Sequence, residues 1–232
     1  SMLLGDLGAD VIKVEAPGQG DHVRGLGAIV DGMSWYFAGF NRNKRSLTLD
    51  LKSDAGKAVL RRLLADADVL VENYRPGVLA AMGFDRETLD AINPRLVVGS
   101  VNGYGSTGPY RDRPAFDFIT QAMSGFMSVN GSQESGPMRA APPLTDLIAG
   151  LYTAFAIVAA LRVRDRDGEG QAVEASMMGG MMSMLAYLSA AQLATGKTPP
   201  ATGNDHPIAS PYGLFRAADG HVAVAPSTAP TL

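Results

Sequence analysis

The sequence predicts an α/β fold built on a doubly wound, mostly parallel sheet, with the start of a second domain near the C-terminus. Three observations predict it. Strand-like and helical segments alternate through the first half of the chain, the order that puts crossover helices between parallel strands. After residue 114 the texture becomes helical and apolar. Two last strand-like pieces flank Ala218-Asp219-Gly220, a turn suited to a hairpin.

Taken in order, Leu3 to Gly8 reads as the end of a helix with Gly8 as its C-cap. Asp10 to Glu15 alternates like a strand, and Ser46 to Leu51 does the same. Ser53 suits the N-cap of a helix from about Asp54 to Ala65, where Val59, Leu60, Leu63 and Leu64 form one apolar face. Asp68 to Glu72 is a strand, Asp85 to Ile92 a short helix, and Leu96 to Val101 the next strand. Helices are expected over 115–129, 145–164 and 177–194, with a strand at Val173 to Ser176. Pro199 to Pro211 is a loop, followed by strands at Tyr212 to Arg216 and His221 to Ala225.

Composition narrows the chemistry. There is no cysteine, so thiol nucleophiles, thiolate metal sites and disulfides are out. The three histidines, His22, His206 and His221, show no metal-ligand spacing, and no metal site is expected. A net charge of −3 gives no reason to expect nucleic acid. No secretory signal precedes the first structured segment, so the reading is cytoplasmic. The apolar stretch Leu147 to Leu161, about 15 residues, falls short of the roughly 20 a membrane span needs. Ala175 to Ala194 is diluted by Gly179, Gly180, three serines and Gln192. Both read as buried helices, with no membrane expected.

Ligands of open parallel sheets bind beyond the carboxyl ends of the strands. Three loops fall there: 16–21, Asn73-Tyr74-Arg75-Pro76-Gly77, and Asn102-Gly103-Tyr104-Gly105. The second is expected to open a helix whose N–H groups, with Arg75, suit a phosphate. The cluster Asn41-Arg42-Asn43-Lys44-Arg45, with Lys52 nearby, fits a multiply phosphorylated nucleotide or, equally, a solvated face. Gly103, Gly105 and Gly108 spell G-x-G-x-x-G but run into Pro109 and Pro114 rather than a helix, which rejects a dinucleotide site. Asp146 stands where the long apolar helix begins. Half enclosed by apolar surface, it suits a covalent nucleophile, although Thr145 or Asp146 could equally serve as the helix cap.

Eight ordered blocks resemble family III (CaiB/BaiF-type) coenzyme A transferases: 3–21, 41–53, 67–84, 93–110, 115–125, 142–161, 168–176 and 203–225. The resemblance implies a Rossmann-like large domain over 1–200, its first strand missing ahead of Leu3. It implies a linker and truncated start of a small domain over 201–232. It places the nucleophile on Asp146 and coenzyme A contacts on Leu49, Asp50, Leu51, Lys52, Asn73, Tyr74, Arg75, Pro114, Ala115, Phe116 and Asp117.

The activity so implied is acyl-CoA:carboxylate CoA transfer through an aspartyl-CoA thioester, between acyl-CoA and carboxylic acid substrates. No tightly bound cofactor is implied; coenzyme A and acyl-CoA are substrates. An interlocked homodimer is expected. The related acyl-CoA racemases carry a histidine base where this sequence has Phe116, so racemisation lacks a proton partner. A non-catalytic CoA-binding fragment is the other alternative.

Overall fold

The computed structural model describes residues 1–226. It opens on α1 (Met2–Asp6), closed by Gly8 at φ 99°, whose N–H donates to the Gly5 carbonyl at 3.0 Å. β1 (Val11–Glu15) follows. A short hairpin, β2 (Ile29–Val30) with β3 (Met33–Ser34), leads into α2 (Trp35–Asn41), where Ser34 Oγ accepts the Phe37 N–H at 3.0 Å. β4 (Lys44–Thr48) returns parallel to β1, Val11 beside Lys44. The strand expected at Ser46–Leu51 therefore sits earlier. Asp50 ends it, because its carboxylate accepts the Lys52 N–H at 3.0 Å in a local turn.

Ser53 caps α3 (Asp54–Asp66) as expected, accepting the Gly56 N–H at 3.0 Å. β5 (Val69–Glu72), α4 (Val78–Ala81), α5 (Arg86–Ile92) and β6 (Val97–Asn102) follow, with β5 and β6 parallel and Val69 beside Val97. Leu60, Leu64, Phe84, Leu89, Leu96 and Val98 make the core here, and Leu49 and Leu51 pack against it. Each fully buried side chain of this size contributes on the order of 1.5–3 kcal/mol.

The helix expected over 115–129 is two: α6 (Asp117–Met123) and α7 (Phe126–Val129), broken by Gly125 at φ 86°. A tight antiparallel pair, β7 (Gly131–Ser132) and β8 (Gly136–Pro137), precedes α8 (Leu144–Asp167). β9 (Ala172–Ser176) completes a three-stranded sheet in the order β5-β6-β9. The Met-rich helix also divides, into α9 (Met177–Met184) and α10 (Ala186–Thr195), at Ala186 with φ 45°. β10 (Gly213–Arg216) and β11 (His221–Val224) form the expected hairpin, Arg216 beside His221.

The α/β class and the parallel pairing agree with the sequence, with the parallel strands grouped in two separate sheets, β1-β4 and β5-β6-β9. The chain packs as two units. The first is Ser1–Arg113 with Ala149–Ala175, and the second Pro114–Ile148 with the chain from Ser176. Of the C-terminal segment 201–232, residues 227–232 lie outside the described residues. Within the first unit, α8 lies so close to β6 that a Cβ on Gly99 would stand 2.6 Å from Ile157 Cδ1. At 24 residues, α8 is long and apolar enough to cross a membrane by length and composition, so the argument from a short apolar stretch does not hold. Its charged last turns, Arg164 paired with Asp68 at 2.8 Å, extend the helix beyond the apolar run.

Candidate active site

In the second unit, the start of α8 is tied to α6 by side chains buried from water. Asp117 opens α6; its Oδ1 accepts the Thr145 backbone N–H at 2.9 Å and the Thr145 hydroxyl at 3.0 Å. Its Oδ2 accepts from Gln121 Nε2 at 2.7 Å. The other end of Gln121, Oε1, accepts the Ala140 N–H at 2.8 Å. The Thr120 and Thr145 hydroxyls share a hydrogen bond at 2.7 Å in which either can donate. Thr120, Gln121 and Thr145 are each 0% exposed. Buried polar groups of this kind stand only when each finds its partner.

Asp146 is the next residue along α8, in its first turn. Its carboxylate accepts no hydrogen bond among the described residues. The side chain is exposed, so the apolar enclosure expected from the sequence is not supplied by the described residues. Enough protein surrounds it, however, for desolvation, and after it the charge of Asp117, to push its pKa up to about 6. Neither Thr145 nor Asp146 is the helix cap, since α8 already begins at Leu144. The helix N-terminus works against the shift by favouring the anion. Such a carboxylate is ionised at neutral pH and more basic than an ordinary aspartate.

The first unit holds the loops expected to meet coenzyme A. Leu49, Asp50, Leu51 and Lys52 form the turn after β4, with both leucines turned to the core. Asn73, Tyr74 and Arg75 follow β5; the Tyr74 N–H donates to Glu72 Oε2 at 2.7 Å. The expected helix start after this loop is weak. α4 has four residues, and Gly77 in the left-handed region, not Pro76, holds its cap position. A cleft of about 230 Å³ beside the loop is lined by Glu72, Asp85 and Glu174 against the single cation Arg86. That lining does not suit a phosphate. Lys52 and Arg75 remain as cations with no ion pair among the described residues.

The basic run at 41–45 resolves differently. Arg42 pairs with Asp6 and Arg45 with Asp10, and Lys44 Nζ donates to Asn41 Oδ1 at 3.0 Å. These residues tie β4 back to the opening of the chain, with both arginines of the run already paired to carboxylates. The loop after β6 is fixed by Glu174, which sequence reasoning missed. Its Oε2 accepts from Asn102 Nδ2 and its Oε1 from the Ser106 N–H, both at 3.0 Å. The Gly105 N–H donates to Asn102 Oδ1 at 2.6 Å. No helix follows Gly108, as the discounted glycine motif requires.

Another missed residue is Glu15. It is 6% exposed and accepts from Arg24 Nε at 2.8 Å, Arg24 Nη2 at 2.7 Å, Ser46 Oγ at 2.7 Å and the Asp21 N–H at 2.9 Å. The Arg24 hydrogen bond, supported by the others, outweighs desolvation and takes its pKa down to about 2. This carboxylate anchors the loop after β1. Of the expected contact residues in the second unit, Pro114, Ala115 and Phe116 lead into α6. Phe116, at the N-cap position, is 75% exposed and makes no side-chain cap. Asp117 is held entirely by Thr145 and Gln121.

Fold and site together define an α/β protein whose candidate reactive group is a carboxylate rather than a serine or a thiol. The chain belongs to CoA-transferase family III, which matches it over residues 1–232. It is 42% identical over 218 residues to the acetyl-CoA:oxalate CoA-transferase of Acetobacter aceti, covering 94% of this chain and 56% of that protein. It is 41% identical over 230 residues to the succinate–glutarate CoA-transferase of Agrobacterium fabrum, covering 96% and 58%. The crystal structure of a CaiB/BaiF family protein from Brucella suis superposes with a TM-score of 0.90 at 41% identity, over 97% of this chain and 60% of that one. The chain thus spans a little over half the length of the curated relatives it matches.

Proposed function

We propose that the protein is an acyl-CoA:carboxylate CoA-transferase in which Asp146 forms an aspartyl-CoA thioester. The observation that carries this reading is the carboxylate of Asp146 itself. It accepts no hydrogen bond among the described residues and is raised to about 6, yet is rooted through Thr145 in a buried network. Asp146 attacks the carbonyl carbon of a donor acyl-CoA; the C–S bond breaks and leaves a mixed anhydride and the coenzyme A thiolate. The thiolate attacks the Asp146 carbonyl, releasing the donor carboxylate and forming the thioester. The acceptor carboxylate attacks that carbonyl, expelling the thiolate, which then takes the acceptor acyl group and restores Asp146. No proton is gained or lost in the cycle, so an ionised aspartate suffices. The named relatives act on small carboxylic acids such as oxalate and glutarate, and acids of that class are the acceptors proposed here.

Lys52 and Arg75 are the proposed contacts for the coenzyme A phosphates, with Asn73 and Tyr74 beside them. Residues 1–200 are assigned to the large domain and 201–232 to the start of the small one. The exposed apolar face of α8, with Leu147, Leu151, Phe155 and Val158, is assigned to the interface of a cytoplasmic homodimer rather than to a membrane. Phe116 cannot move a proton, which disfavours racemisation. The test uses the protein encoded by the full reading frame, incubated with acyl-CoA and then hydroxylamine. Peptide mass spectrometry should find a hydroxamate on Asp146. No adduct there, under conditions where acyl-CoA is consumed, would sink the proposal.

A further inference from the structure

The geometry points to Gln121 as a positioning residue for Asp146, an inference that rests on Asp146 being the nucleophile. One buried amide reads both flanks of the segment that delivers Asp146. Its Nε2 donates to Asp117 Oδ2 at 2.7 Å, and Asp117 in turn accepts both hydrogens of Thr145, the residue before Asp146. Its Oε1 accepts the Ala140 N–H at 2.8 Å, six residues upstream of Asp146. The amide therefore fixes residues 140 and 145 to the same helical turn of α6, and the intervening Ala141-Pro142-Pro143 and the first residue of α8, Leu144, are held at both ends.

Only a group carrying both a donor and an acceptor fits. Asp117 is acceptor-only when ionised, and the Ala140 N–H is donor-only. Glutamine satisfies both at once; leucine satisfies neither and strips Asp117 Oδ2 and the Ala140 N–H, both partly buried, of these partners. Glutamate fits in one protonation state alone. Protonated, it can donate to Asp117 and accept from Ala140; ionised, it sets a second anion against Asp117. The charged groups around the amide are few. Asp117 lies on the same helix, Asp146 on α8 and Arg139 on the loop before it, and α9, which packs against α6, carries no titratable residue.

The experiment compares wild type, Gln121→Leu and Gln121→Glu in the protein from the full reading frame. It follows Asp146 adduct formation and steady-state transfer from pH 5.5 to 8.5, with folded fraction read by circular dichroism. Gln121→Leu should lower the maximal rate of adduct formation on the order of 10²-fold, the cost of a misplaced reacting group, with KM for acyl-CoA within about threefold. Gln121→Glu should approach wild type at the acid end and fall away as pH rises, at constant folded fraction. The positioning role is overturned if folded Gln121→Leu forms the adduct at the wild-type rate, or if Gln121→Glu shows the wild-type pH profile. Absence of an adduct in the wild type would instead remove the proposed mechanism, a result distinguishable from either.

Discussion

Glu15 and Asp146 are both carboxylates set where a loop meets a regular element, one in each unit, and their surroundings are opposite. Glu15 is almost wholly buried but accepts four hydrogen bonds, two of them from Arg24; its pKa drops to about 2. Asp146 is exposed but accepts none among the described residues; desolvation, and after it the like charge of Asp117, takes its pKa up to about 6. Desolvation pushes both carboxylates up; hydrogen-bond donors overturn it at Glu15 and leave it standing at Asp146. The donors around Glu15 spend its lone pairs on structure. Asp146 keeps its lone pairs, while Thr145, one residue before it, gives both its hydrogens to Asp117.

If that contrast is right, the largest effect belongs to Asp146→Asn. Transfer in the protein from the full reading frame should fall by at least about 10³-fold, since the amide cannot form the thioester. A loss below tenfold would reassign the nucleophile. Stability should move the other way. A folded pKa above the ordinary value means the folded chain holds the proton more tightly, so stability is lost as the pH rises from 3.8 through about 6, and the full loss is present above that. Asp146→Asn should therefore unfold at higher urea than wild type at pH 8, with the gap closing below pH 4.

Glu15→Gln is next, and it should affect stability instead. With the pKa depressed from 4.5 to about 2, the contribution of Glu15 is fully present above pH 4.5 and is lost as pH falls through 2. Arg24 is partly exposed, so screening trims the value to about 2 kcal/mol. Urea midpoints measured from pH 7 to pH 3 should show wild type ahead at neutral pH and the difference narrowing on acidification. A constant difference across that range would mean the ion pair contributes packing alone.

Much of this was legible in the sequence because it is local. The parallel strands, the Ser53 cap and Asp146 at the head of a helix all follow from periodicity or from one or two neighbours. What could not be read is long-range pairing. The partners of Arg42 and Arg45 are Asp6 and Asp10, some 35 residues back, so the run at 41–45 looked like a free basic cluster. Glu174 reaches Asn102 across 72 positions. Gly125 and Ala186 break helices that apolar periodicity carries straight through, because backbone sign is not written in hydrophobicity. For Gln121 a hint existed: it stands four residues after Asp117, the spacing at which helical side chains meet.

The smallest expected effect is also the most discriminating. Asp117→Asn removes the like charge from beside Asp146 but leaves the desolvation, which is the larger of the two causes. The pH midpoint for adduct formation on Asp146 should therefore drop below 6 yet stay above 3.8, the ordinary value. The plateau rate should fall too, since an asparagine cannot accept from Gln121 and Thr145 as a carboxylate does. Midpoint and plateau report separate things: the midpoint reads the charge of Asp117, the plateau its hold on Thr145. A lowered plateau with an unmoved midpoint would show that Asp117 acts on the nucleophile through geometry alone. The contrast with Glu15 would then rest on desolvation without help from a neighbouring anion.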